Sequence, residues 1–134
     1  MNIPILYEDN HLLIVEKPVN IPVQEDNSKD ADLLTILKQD LKVRYQKPGN
    51  VFLALVHRLD RPVGGAIVFG KTSKAASRLS DMIRRHTIDR EYLTVVHGRP
   101  KQKKAKLEHY LLKDNRKNKV SVESAKHPNA KKRF

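Results

Sequence analysis

At 134 residues, 39% of them hydrophobic and 31% charged, the chain is long enough to form one ordinary domain around a single core. It has no cysteine, which excludes a disulfide framework and a cysteine-ligated zinc site. The formal net charge of +12 is uneven: residues 99–134 hold 13 Lys and Arg against Glu108, Asp114 and Glu123, leaving only +2 for the first 98 residues, so the basic end points to a polyanionic partner.

The histidines at 11, 57, 86, 97, 109 and 127 show no i, i+4 pair beside a carboxylate, and no metal site is expected. No segment approaches the roughly 20 apolar residues of a membrane span, and no basic leader precedes an apolar run. A cytoplasmic protein with no membrane association is expected.

In chain order, "ILYEDNHLLIVEKP" predicts two short strands around a turn at Glu8-Asp9-Asn10, with Leu12, Leu13, Ile14 and Val15 carried into a core. Residues 19–30 mix Pro22 with acids, Asn27 and Ser28 and predict a loop. Asp30 or Asp32 then caps a helix in which Leu33, Leu34, Ile36, Leu37 and Leu41 recur at helical spacing as far as Arg44. After the turn "QKPGN", the continuous apolar run Val51–His57 predicts a strand covered on both faces. "AIVFG" predicts another strand. Thr72 or Ser73 caps a second helix, with Ala75, Ala76, Leu79, Met82 and Ile83 inward and Lys74, Arg78, Arg84 and Arg85 outward. "REYLTVVHG" predicts a strand ended by Gly98. "KLEHYLLKD" and "KVSVE" predict a hairpin, and residues 126–134 a frayed basic tail. The sum is an α+β fold, a mixed and mostly antiparallel sheet with two helices.

The stretch "LVHRLDRPVGG" holds the chemistry. Asp60 follows a buried strand on a short loop and stands between Arg58 and Arg61. Burial raises a carboxylate's pKa whereas adjacent cations favour its charged form, so an aspartate set among arginines can stay an anion, as a nucleophile or base requires. Pro62 restricts the loop's backbone, and Gly64 and Gly65 permit close approach and positive φ. The same residues also suit a structural ion pair or an Asx turn beside Pro62.

"HRLDRPVGG" resembles the signature of the pseudouridine synthases, in particular the bacterial branch related to RluA that modifies ribosomal and transfer RNA. "LLIVEKPVNIPV" is similar to that branch's strand and Lys-Pro segment, and "DREYLTVVHG" to the segment bearing its active-site tyrosine. The resemblance implies that Asp60 is the catalytic aspartate that breaks the uridine C1′–N1 bond before the base rotates and rejoins through C5, with no metal or organic cofactor. It implies that Tyr92 is the tyrosine that stacks on the uracil and assists proton removal. Arg58, Arg61, His57 and Lys17 are expected to contact RNA, as are Lys103 and Lys104 in the basic stretch, while Pro62, Gly64 and Gly65 shape the loop. Lys17 with Pro18 is also expected to form part of the pocket wall.

The chain departs from the branch in places. Val63-Gly64 stands where the branch commonly has Thr-Ser, and Asn20 replaces a glycine, a tolerable change because asparagine accepts positive φ. No counterpart of the branch's later Thr-Gly-Arg-x-His-Gln-Ile-Arg segment follows Gly98. The chain therefore reads as a single partial catalytic domain, its N-terminal half, whose incomplete sheet invites self-association. Against an isomerase stands a non-catalytic basic RNA-binding module. A phosphatase with an aspartate nucleophile would require Asp-x-Asp and a magnesium site, which the sequence lacks.

Overall fold

The computed structural model describes residues 2–133, which divide after Glu91 into two compact units. In the first unit, β1 (Ile5–Glu8) and β2 (Leu12–Lys17) form an antiparallel hairpin. Asp9 makes its turn, one carboxylate oxygen accepting the backbone N–H groups of His11 and Leu12 at 2.7 Å each. β2 pairs with β4 (Gly65–Gly70), and β3 (Ala54–Leu55) lies on the far side of β4. The order is β1-β2-β4-β3, with every pairing antiparallel.

Alternation along the strands sets the buried face: Leu13, Val15 and Lys17 of β2 and Ile67 and Phe69 of β4 point into the core. Helix α1 (Leu33–Arg44) contributes Leu33, Leu37 and Leu41, a buried stripe at intervals of four. Asp32 is its cap, accepting the Thr35 N–H at 3.0 Å. Helix α2 (Ser73–Arg84) is capped by Thr72, which accepts from the Ala75 N–H at 3.1 Å. Ala75 and Leu79 are its buried residues; Met82, expected to face inward, is exposed, while Lys74, Arg78, Arg84 and Arg85 face outward as the pattern predicts. Gly70 permits the close seating of α2, because a Cβ there would lie 2.8 Å from the Ala76 nitrogen.

Two predicted strands are corrected. Of the run Val51–His57 only Ala54 and Leu55 join a ladder, and Phe52 is 53% exposed between buried Val51 and Leu53. β3 is an edge strand whose described neighbour is β4, and the alternation of buried Val51 and Leu53 with exposed Phe52 shows that one face of the run is covered and the other open. Its ladder ends where the His57 ring, rather than backbone, accepts the Val68 N–H (3.0 Å). The strand expected over "REYLTVVHG" does not form. Leu93, Val95 and Val96 are exposed, and no described strand pairs with them, so the apolar run has no ladder to join.

The second unit holds a separate sheet, β5 (His109–Asp114), β6 (Lys119–Glu123) and β7 (Lys131–Arg133), in the order β6-β5-β7 and again wholly antiparallel. β5 and β6 are the expected hairpin. The expectation of a frayed tail is corrected for residues 131–133, which pair with the open side of β5 and carry a Lys132–Glu108 ion pair at 2.6 Å. The α+β class and the two helices agree with the sequence. The strands nevertheless form two sheets instead of one, because the segment expected to continue the first sheet stays unpaired.

Candidate active site

Leu59, 9% exposed, pins the chain leaving β3 to the core, and the next residue, Asp60, turns outward to solvent. The Asp60 carbonyl accepts the Val63 N–H at 2.9 Å, closing a tight turn over Arg61-Pro62. This turn rests on the end of β2. Lys17 is only 1% exposed, and its ammonium donates to the carbonyls of Pro18 (2.9 Å), Arg61 (3.1 Å) and Val63 (2.8 Å). Burial lowers the Lys17 pKa, and the negative charge of Asp60 draws it part of the way back up. One buried cation thus ties down the turn's backbone while facing the carboxylate that the turn presents.

Asn20 adds a second tie, its N–H donating to the Arg61 carbonyl at 2.8 Å. It does so at φ +66°, the conformation expected of a residue in a glycine's place. Gly64 lies tight against the same segment: a Cβ would come within 3.1 Å of the Lys17 carbonyl oxygen and of a Val19 methyl. Gly65 opens β4 at φ +140°. Pro62 is exposed at the turn, so the three loop-shaping residues occupy one short connection.

Several expected RNA contacts have other partners. Lys17 is enclosed and spends its donors on carbonyls beneath the Asp60 turn. Arg61 pairs with Asp30, sits 3.7 Å from Asp26 and donates to Ser28 Oγ at 3.1 Å, so its charge is met by the 26–30 loop. His57 is partly buried as the acceptor of the Val68 N–H, and burial followed by the Arg90 charge lowers its pKa. Arg58 differs: it is exposed and makes no hydrogen bond or ion pair among the described residues. Tyr92, 61% exposed, is the first residue of the second unit, where exposed Lys103 and Lys104 also lie. The structure thus assembles Lys17, Asn20, Asp60, Arg61, Pro62, Gly64 and Gly65 in one place. Sequence reasoning missed the roles of Asp26, Ser28 and Asp30, for which the acidity of the loop facing an arginine-rich motif was the available signal.

The opposite end of the sheet, marked by the Leu12–Gly70 pairing, has a shallow cleft of about 230 Å³ lined by Asn10, Tyr45, Lys47, Phe52 and Lys71. Beside it Glu8 binds Lys71 (2.8 Å), Arg44 (2.9 Å) and the Tyr45 hydroxyl (2.7 Å). Burial alone would raise the Glu8 pKa, but these three donors together bring it down to about 2. The cluster fastens α1 to the β1–β2 hairpin at the end away from Asp60. No described group of His, Asp and Glu is arranged to hold a metal ion, and no described helix is long and apolar enough to cross a membrane.

The RNA pseudouridylate synthase family profile matches residues 11–134. The chain belongs to that family. It is 35% identical over 118 residues to the ribosomal large subunit pseudouridine synthase C of Buchnera aphidicola from Acyrthosiphon pisum, covering 88% of this chain and 36% of that protein. It is 33% identical over 98 residues to the tRNA pseudouridine synthase C of Haemophilus ducreyi, covering 73% of this chain and 38% of that one. The chain therefore spans little more than a third of the length of these relatives. A human protein titled RNA Pseudouridylate Synthase Domain Containing 4 superposes with a TM-score of 0.69 over 96% of this chain and 50% of its own, at 17% identity, and so shares the fold.

Proposed function

We propose that the chain carries the aspartate-bearing part of an RNA uridine isomerase and that Asp60 is its catalytic carboxylate. The observation that carries this reading is the construction of the turn: a solvent-facing carboxylate is held between a core-pinned Leu59 and a backbone tied by Lys17 and Asn20. A site bound this closely to two strands can hold a carboxylate in a fixed position against a ribose or a base. The reaction breaks the C1′–N1 glycosidic bond, turns the uracil, forms the C1′–C5 bond and releases the C5 hydrogen as a proton. Carboxylate attack at a sugar carbon, as in retaining glycosidases, is one chemically sound course, and addition to the base is the other. Tyr92 is assigned to stack on the uracil and assist the C5 proton transfer. Reaching a paired uridine requires extruding it from its stack, and Arg58, exposed and uncommitted, is suited to filling the gap. Ribosomal and transfer RNA are the substrate classes we assign, a reading supported by the names of the relatives, and the cytoplasm is the location we assign.

Incubation with RNA tritiated at uracil C5 tests this, since isomerisation must expel that hydrogen. Release by the parent chain and none by Asp60→Ala is the expected result. A second reading, a non-catalytic RNA-binding module, is favoured by the basic balance of residues 99–134, which hold 13 Lys and Arg against three acids. Salt-sensitive RNA binding with no release from either protein would establish it in place of the isomerase.

A further inference from the structure

We infer that the outward face of α2 is a docking track for the phosphate backbone of RNA, leading toward the Asp60 turn; this rests on RNA being the partner. Lys74, Arg78, Asp81 and Arg85 recur at intervals of four, three and four residues and so share one stripe of the helix, turned away from buried Ala75 and Leu79.

The partners of these cations separate them from an ordinary solvated face. The arginines of the first unit are 44, 58, 61, 78, 84, 85 and 90. Arg44 is held by Glu8 and Asp40, Arg61 by Asp26 and Asp30, and Arg84 and Arg85 share Asp81. Arg58, Arg78 and Arg90 have no carboxylate among the described residues, and neither has Lys74. All four are exposed. Two of them stand on the α2 stripe. The other two flank His57, Arg58 as its neighbour in sequence and Arg90 through the charge it exerts on the ring.

The topology orders them along a line. β4 runs away from the Asp60 turn, from Gly65 opposite Lys17 to Gly70 opposite Leu12. α2 starts two residues beyond β4 and seats Ala76 against Gly70, so a helix packed on β4 returns toward the site. Its 12 residues cover about 18 Å, close to the roughly 20 Å length of a six-residue strand. Lys74 is thus the distant end of the track, Arg78 its middle, and Arg85 at the close of the helix, with Arg58 two residues before Asp60, the end nearest the carboxylate. Lys74 and Arg78, the two cations of the stripe with no carboxylate among the described residues, can bind phosphates by releasing counterions and fix the register of a strand without reading its sequence, while Arg85 shares Asp81.

The test is equilibrium binding of a synthetic uridine-containing RNA stem-loop by the full chain across a range of salt concentrations, comparing the parent with Lys74→Gln/Arg78→Gln. Loss of two phosphate contacts should lower the steepness of log K against log salt by about 1.5 and weaken binding most at low salt. Arg78→Lys, which keeps the charge, should restore most of the affinity that the Gln change at 78 removes. The matching pair Lys38→Gln/Lys42→Gln on α1 removes the same charge elsewhere and should have a smaller effect. Equal losses from the two pairs, or an unchanged slope for the α2 pair, would overturn the track. Tritium release separates this outcome from failure of the isomerase reading. A weakened slope without release leaves the track standing alone, release with an unchanged slope leaves the isomerase without it, and a parent that binds no RNA overturns both.

Discussion

Replacing Lys17 with methionine probes how the Asp60 turn is held. Methionine approximates the lysine stem, so the fully buried volume beside Val15 and Ile67 stays filled and the change falls on the ammonium. Three carbonyls lose a donor. That of Arg61 keeps the Asn20 N–H, whereas those of Pro18 and Val63 lose the only donor described for them. An orphaned buried acceptor costs about 1–3 kcal/mol, so two cost about 2–6 kcal/mol. Removing the ammonium also removes its own burial penalty, which offsets part of this. The net expectation is destabilisation of about 3 kcal/mol, read as a lower urea midpoint at an unchanged m-value. Because the loss is local, limited trypsin digestion should show faster cleavage after Arg58 under conditions where the parent resists, the Arg61–Pro62 bond being resistant to trypsin in both proteins. A Lys17→Met protein within about 0.5 kcal/mol of the parent, with the same trypsin pattern, would refute the claim that this cation holds the turn.

Other perturbations test the remaining contacts. Below the ordinary histidine range His57 must take up a proton and surrender the Val68 N–H, and its folded-state pKa is depressed; the unfolded chain therefore binds more protons there, and stability falls as pH drops below about 6.5. His57→Gln should flatten that limb in pH-dependent urea titrations. Glu8, depressed from 4.5 to about 2, contributes stability that is complete above its ordinary value and lost as pH falls between the two, so Glu8→Gln should remove most of this acid dependence. Gly70→Ala forces a methyl to within 2.8 Å of the α2 backbone and should cost about 1–3 kcal/mol, seen as a lower melting temperature. His86→Gly, at a helix C-terminus where His86 has φ +56°, should raise stability by about 0.5–1 kcal/mol in the same assay.

Local chemistry made much of the first unit legible in advance. The β1–β2 turn, both helices and their capping candidates, and the strand at 65–70 follow from apolar periodicity and from side chains that bond to nearby backbone, neither of which depends on distant residues. Asp60 stands out from its immediate neighbours, but local chemistry left a structural ion pair open beside a catalytic role, and the family resemblance alone favoured the latter; Asn20 takes the positive φ foreseen for it. Strand pairing is non-local, and there the sequence was insufficient. The apolar runs at 51–57 and 91–98 look alike as strings, yet one supplies a two-residue edge strand and the other stays exposed, because a ladder needs a partner at the right distance. The partners of charged groups were equally hidden. Only the tertiary structure decided that Lys17 would be buried beneath the turn, that Arg61 would be claimed by a loop some 30 residues earlier, and that Arg58, Arg78 and Arg90 would have no carboxylate partner among the described residues. A charge takes its role from what surrounds it in space, and the sequence specifies those surroundings only through the fold.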